Sequence, residues 1–173
     1  AVREVGPENA GLTVVFAHGF CLRMGSFHFQ RARLSEQWGE QVRMVFYDQR
    51  GHGQSGEAPP DTYTVEQLGQ DLESVLAVVA PRGPVVLVGH SIGGPYTTTY
   101  VGKYGDQVAG MVMVDPSHPD QVARLGKVAK ANVDPMQSLG MMKTISALSW
   151  TGAVRFGFSM ANTKVTKVPS KEM

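Results

Sequence analysis

Short β-branched and apolar runs alternate along this chain with longer segments whose apolar positions recur every three or four residues. A strand buried on both faces of a parallel sheet reads as a continuous apolar run, and a helix covering that sheet shows one apolar stripe. On that basis residues 13–17, 43–47, 85–89 and 111–114 are predicted to be buried strands, with a weaker one at 2–5. Helices are expected at 30–38, at 64–79 and from just after Ser91 to 103. The second is the clearest. Thr64 precedes Gln67 at capping-box spacing, and Val65, Leu68, Leu72, Val75, Leu76 and Val79 form its stripe. Pro81-Arg82-Gly83-Pro84 then breaks the helix before the next strand.

Alternation of this kind predicts an α/β fold, a mostly parallel sheet with flanking helices. The pattern changes past His118, where apolar residues from Met136 to Phe158 cluster without strand alternation. Two or three short helices are expected there, broken near 132–135 and 151–152, followed by a polar, frayed tail at 162–173. The expected organisation is a core at 1–118 and a helical, cap-like segment at 119–173.

Composition narrows the function classes. The 173 residues are 42% hydrophobic and 18% charged, the balance of a soluble globular chain able to bury a core. A formal net charge of +1 with scattered basic residues gives no reason to expect a nucleic-acid partner. One cysteine, Cys21, excludes an intramolecular disulfide framework and multi-cysteine metal sites. No apolar run approaches the roughly 20 residues of a membrane helix, so no stable membrane insertion is expected. The first residues do not form a signal peptide, and the expected location is the cytoplasm, or elsewhere after removal of a leader.

The strongest chemical signal is the run Val85-Val86-Leu87-Val88-Gly89-His90-Ser91-Ile92-Gly93-Gly94. It is a buried strand entering Gly-x-Ser-x-Gly ahead of a helix-compatible segment. A serine hydroxyl is a poor nucleophile until it is raised on a tight turn and paired with a base. Glycines at 89 and 93 leave room for that turn, and the helix after Ser91 points amides at a developing oxyanion. The bare pentapeptide also fits an ordinary glycine-rich loop; the strand before and the helix after favour the nucleophile elbow. Two segments accompany it. Val14-Val15-Phe16-Ala17-His18-Gly19-Phe20 is a strand ending in His-Gly, whose Phe20 amide could join that of Ile92 in an oxyanion hole. Asp48-Gln49-Arg50-Gly51-His52-Gly53-Gln54-Ser55 is a glycine-paced turn after a strand.

Together, His-Gly, Asp-x-Arg-Gly-x-Gly-x-Ser and Gly-His-Ser-x-Gly-Gly, in this order and spacing, resemble the α/β-hydrolase superfamily, and within it the bacterial lipase, esterase and peroxidase-like members. The resemblance runs over about residues 2–120. It implies acyl-enzyme chemistry at Ser91, a Ser–His–Asp mechanism, and no metal or organic cofactor. It also implies an eight-stranded sheet with the four clear strands at its centre and a cap beginning after Asp115. The methionine-rich segment from Met136 suits a cap that adapts to apolar ligands, and equally suits a core-facing helix pair.

The pattern is incomplete. In this fold the triad acid and histidine follow the serine in sequence. The sole histidine after Ser91 is His118, too near in sequence to swing over it, so the expected base lies beyond these residues. Asp115, at the carboxyl end of a strand, is a candidate acid; alternatively it caps an ordinary turn by binding backbone amides. His18, His52 and His90 are expected to orient loops, His28 to lie on the surface or face the cap, Asp48 and Arg50 to form an ion pair, and Cys21 to be a small apolar filler. If the sheet stops at 111–114, that strand is an exposed apolar edge that further residues, another chain or the cap-like segment could cover, and further residues are the favoured cover.

Three hypotheses follow. The first is a serine hydrolase of small carboxylic esters with an apolar acyl group. The second is another reaction on the same elbow: thioester, amide or carbon–carbon hydrolysis, or perhydrolysis. The third is a non-catalytic core acting as a binding module. An aspartate-nucleophile enzyme is disfavoured because residue 91 is serine.

Overall fold

The computed structural model describes residues 1–80 and 84–121. They belong to one compact unit, Ala1–Gln121. All but residues 119–121 of the expected cap-like segment and tail, and most of the predicted breaker, lie outside the described residues.

In chain order the elements are β1 (Val2–Val5), β2 (Leu12–Ala17), α1 (His28–Trp38), β3 (Val42–Tyr47), α2 (Val65–Val79), β4 (Val85–His90), α3 (Gly93–Tyr104) and β5 (Val108–Val114). The five strands form one sheet in the order β1-β3-β2-β4-β5. β1 runs antiparallel to β3, and every other pairing is parallel. This is the α/β architecture expected from the alternation.

Side-chain alternation along the strands divides the core between two faces. Val15, Val45, Leu87 and Ala17 pack with Leu72 and Leu76 of α2 and Tyr96 and Tyr100 of α3. Val14, Phe16, Met44, Phe46 and Val88 form the opposite cluster, joined by Phe27 and, from α1, by half-buried Leu34 and Trp38. The α2 stripe behaves as its spacing predicts, with Leu72, Leu76 and Val79 buried. Its cap is half of the expected box. Thr64 accepts the Gln67 amide at 3.1 Å, but the Gln67 side chain turns instead toward Asp71, 3.4 Å away.

One strand departs from expectation. β2, β3 and β4 are buried on both faces, whereas Val112, Met113 and Val114 of β5 are 48%, 41% and 41% exposed. The reason is position: β5 pairs with β4 on one side and stands at the sheet edge among the described residues. It begins at Val108, three residues before the predicted start, and a register shift between Val85 and Val86 adds one residue on β5. No helix among the described residues is long and apolar enough to cross a membrane.

Candidate active site at the carboxyl ends of the strands

β2, β3, β4 and β5 end on the same side of the parallel sheet, where open α/β folds bind ligands. His18-Gly19-Phe20 follows β2, Asp48 to Gly56 follows β3, Ser91 follows β4, and Asp115 to Pro119 follows β5.

Ser91 has φ +53, a left-handed conformation that a residue with a Cβ rarely adopts. Three backbone bonds hold it there. Its N–H donates to Val114 O at 3.3 Å, while its carbonyl accepts the amides of Gly94 and Ser117, each at 3.0 Å. The turn is tight enough that a Cβ on Gly93 would collide with the Ala17 carbonyl, and one on Gly89 would meet Gly93 O at 2.8 Å. Glycine at these two positions is therefore a packing requirement of the turn. α3 starts two residues after Ser91, with Ile92 as its N-cap, so its unpaired amides face the serine. The Ser91 Oγ lies 3.4 Å from Ser117 Oγ.

A cavity of about 350 Å³ contains Ser91 together with Phe20, Gln49, His52, Ile92 and Ser117. A second, of about 630 Å³, shares Val65, Ile92 and Ser117 with it and extends along Thr98, Met113 and Pro116. The larger one is mostly apolar in residue type and adjoins the serine without including it.

A buried polar network braces the loops after β2 and β3. His18 is fully buried. Its Nδ1–H donates to Gly19 O at 2.8 Å, and its Nε2 accepts the Gln49 amide at 3.1 Å. Burial, and then the neighbouring His52 and His90, hold its pKa below the ordinary 6.5 against the opposing pull of the Gly19 bond and Asp48. The Gln49 side chain donates to the His18 carbonyl and to Tyr96 Oη at 2.8 Å, and Tyr47 Oη donates to Tyr96 Oη at 3.1 Å. Burial raises both tyrosine pKa values, keeping the network neutral. Asp48 accepts the Met24 amide at 2.6 Å and the Gln54 amide at 2.8 Å.

These contacts settle several sequence expectations. His18 and His52 do orient loops through hydrogen bonds, and His28 is exposed. The expected Asp48–Arg50 ion pair is absent: Asp48 points inward to amides, and Arg50 reaches out to Asp71 of α2 with two bonds of 2.5 Å. Cys21 is no apolar filler; it is exposed and held at φ +58. Asp115 is exposed at φ +42, and its carboxylate makes no hydrogen bond or ion pair among the described residues, so it does not cap the turn through backbone amides. His118 Nδ1 accepts the Asp120 amide at 3.0 Å. All five histidines fall within the described residues, and none is hydrogen-bonded to Ser91 Oγ. Sequence reasoning missed Gln49, Tyr96 and Ser117, none of which carries a motif signal of its own.

Comparison with known proteins adds the family. A proline iminopeptidase of Pestalotiopsis fici is 31% identical over 79% of this chain and 50% of its own length. A monoacylglycerol lipase of Mycolicibacterium smegmatis is 28% identical over 60% of this chain and 37% of its own. The chain thus spans half or less of the length of these curated relatives. The solved esterase of Exiguobacterium antarcticum superposes with a TM-score of 0.60 at 28% identity, covering 68% of this chain and 41% of that one. The model of the alpha/beta hydrolase family matches residues 14–164, and with the five-stranded sheet in place the chain belongs to that family.

Proposed function

We propose that the chain is the nucleophile-bearing part of a serine hydrolase acting on carboxylic esters, through an acyl-enzyme at Ser91. The carrying observation is the left-handed Ser91 between β4 and α3, opening into a cavity with Phe20 and Ile92. In this reading Ser91 Oγ attacks the ester carbonyl as a base takes its proton. The amides of Phe20 and Ile92 hold the oxyanion, each donor contributing about 3–4 kcal/mol to the transition state. Collapse expels the alcohol and leaves an ester at Ser91, which water then hydrolyses. Asp115 is the proposed acid: its carboxylate, without a bond among the described residues, stands at the end of the strand paired with the one that leads to Ser91. The base is a histidine from outside these 173 residues, since each histidine here is either bound elsewhere or not bonded to Ser91. An apolar acyl group fits the larger cavity, where Met113, Ile92 and the prolines gather. The proposed substrate is a small-molecule ester, no cofactor takes part, and the proposed location is the cytoplasm. The proposed division places the core at 1–118 and the cap-like segment at 119–173.

The test is turnover of short and medium-chain p-nitrophenyl esters by the protein as it occurs in its source cells. Hydrolysis abolished by Ser91→Ala supports the reading, and hydrolysis unchanged by it overturns it. One observation favours a second reading, a binding module without turnover: the described hydrogen-bond partner of Ser91 Oγ is a serine and not a histidine. Ester binding without hydrolysis by that same protein would establish it.

A further inference from the structure

His52 is the histidine of the Ser91 cavity for which the proposed reaction has no use. Both of its ring nitrogens are nonetheless engaged. Nδ1 lies 2.9 Å from the Arg50 carbonyl oxygen, and since a carbonyl only accepts, Nδ1 carries the proton. Nε2 lies 3.2 Å from the backbone nitrogen of Cys21, whose N–H donates to it. The Nε2 of His52 is therefore the lone-pair nitrogen, and two backbone groups set the tautomer.

The acceptor has a demanding partner. Cys21 has φ +58, the left-handed region that a non-glycine residue rarely adopts. Its turn is closed by the Leu22 amide on Gly19 O at 3.2 Å. The Phe20 ring meets the His52 ring edge-on, with centroids 5.9 Å apart. A peptide unit is planar, with its C=O and N–H pointing in opposite directions. The bond from His18 Nδ1 to Gly19 O thus fixes the plane that carries the Phe20 N–H. The bond from Cys21 N–H to His52 Nε2 fixes the next plane. Two histidines, from the loops after β2 and β3, pin two successive peptides on either side of Phe20.

We propose that His52 is a positioning residue. Its Nε2 lone pair holds the Cys21 amide and, with His18, aims the Phe20 amide into the Ser91 cavity. The catalytic consequence rests on Phe20 as an oxyanion donor; the hydrogen bond itself does not.

The experiment has two arms. In the uniformly ¹⁵N-labelled protein, the His52 ring is expected as the Nδ1–H tautomer, with a through-hydrogen-bond coupling between Nε2 and the Cys21 amide nitrogen. A proton on Nε2, or no coupling to Cys21, overturns the proposal, and this readout needs no turnover. In the ester-hydrolysing protein, His52→Phe should lower kcat about 10- to 100-fold with KM nearly unchanged, the cost of a misaimed donor. His52→Gln, whose side-chain oxygen can accept the Cys21 amide, should recover to within about threefold of wild type. Equal losses in the two variants, or a loss confined to KM, overturns the positioning role. A wild-type protein without turnover counts against the esterase reading alone, and the tautomer measurement then decides the proposal.

Discussion

The loops after β3 and β5 both begin with an aspartate at the carboxyl edge of the sheet, yet the two residues live in different surroundings. Asp48 is buried, and each of its carboxylate oxygens accepts a backbone amide. Around it Ser55 Oγ donates to the Asp48 carbonyl at 2.7 Å, and Gly53 passes so close that a Cβ would enter the carboxylate. Asp115 is exposed, and its turn is held chiefly by the backbone bond from Ser117 N–H to Ser91 O. A buried carboxylate engaged by two backbone amides is committed to holding its loop, whereas an exposed one with no bond among the described residues leaves its oxygens available for chemistry. The difference separates a brace from a candidate participant, and it is invisible in the residue type.

The largest effect expected from this comparison is at Asp48. Asp48→Ala leaves two buried amides without acceptors and should cost about 3 kcal/mol in urea denaturation of the chain. A loss under 1 kcal/mol would mean that the loop relaxes to water. Gly53→Ala comes next. Its φ of +54 disfavours a side chain and the new methyl meets Asp48, so about 2 kcal/mol should be lost in the same assay.

A smaller effect comes with pH. The folded-state pKa of His18 lies below the unfolded value near 6.5, so below that pH the unfolded chain binds more protons. This contribution is fully present above pH 6.5 and is lost as pH falls through the depressed folded value. The urea midpoint should therefore drop between pH 7.5 and 5.5, while the His18 ring, followed by NMR, stays neutral to lower pH than an ordinary histidine. A ring that protonates near pH 6.5 would break the argument. The smallest stability effect belongs to Asp115→Asn, within about 0.5 kcal/mol of wild type because its exposed carboxylate has no bond among the described residues. In ester turnover the order should invert, and Asp115→Asn should cost rate while leaving the fold intact.

How much of this was legible in the sequence follows from range. Strands β2, β3 and β4 were readable because burial on both faces forces a continuous apolar run. The stripe of α2 was readable because its period is local. β5 looked the same in sequence, but its exposure depends on which strand lies beside it. Ser91 was found through glycines whose close approach to Ala17 and Gly93 leaves no choice of residue. Arg50 was misassigned because its partner, Asp71, lies 21 positions away on another element, while Asp48 was near in sequence but turned inward. Gln49 and Tyr96 gain their meaning from each other across 47 positions, and no local pattern announces such a pair. The roles of Phe20, Ile92 and Asp115 remain proposals built on that geometry.

The most direct test of the central claim is peptide mass spectrometry after incubation of the intact protein with a fluorophosphonate. The account predicts an adduct on the peptide containing Ser91, absent from Ser91→Ala. No adduct at Ser91 in the intact protein, or an adduct on another serine, would contradict it.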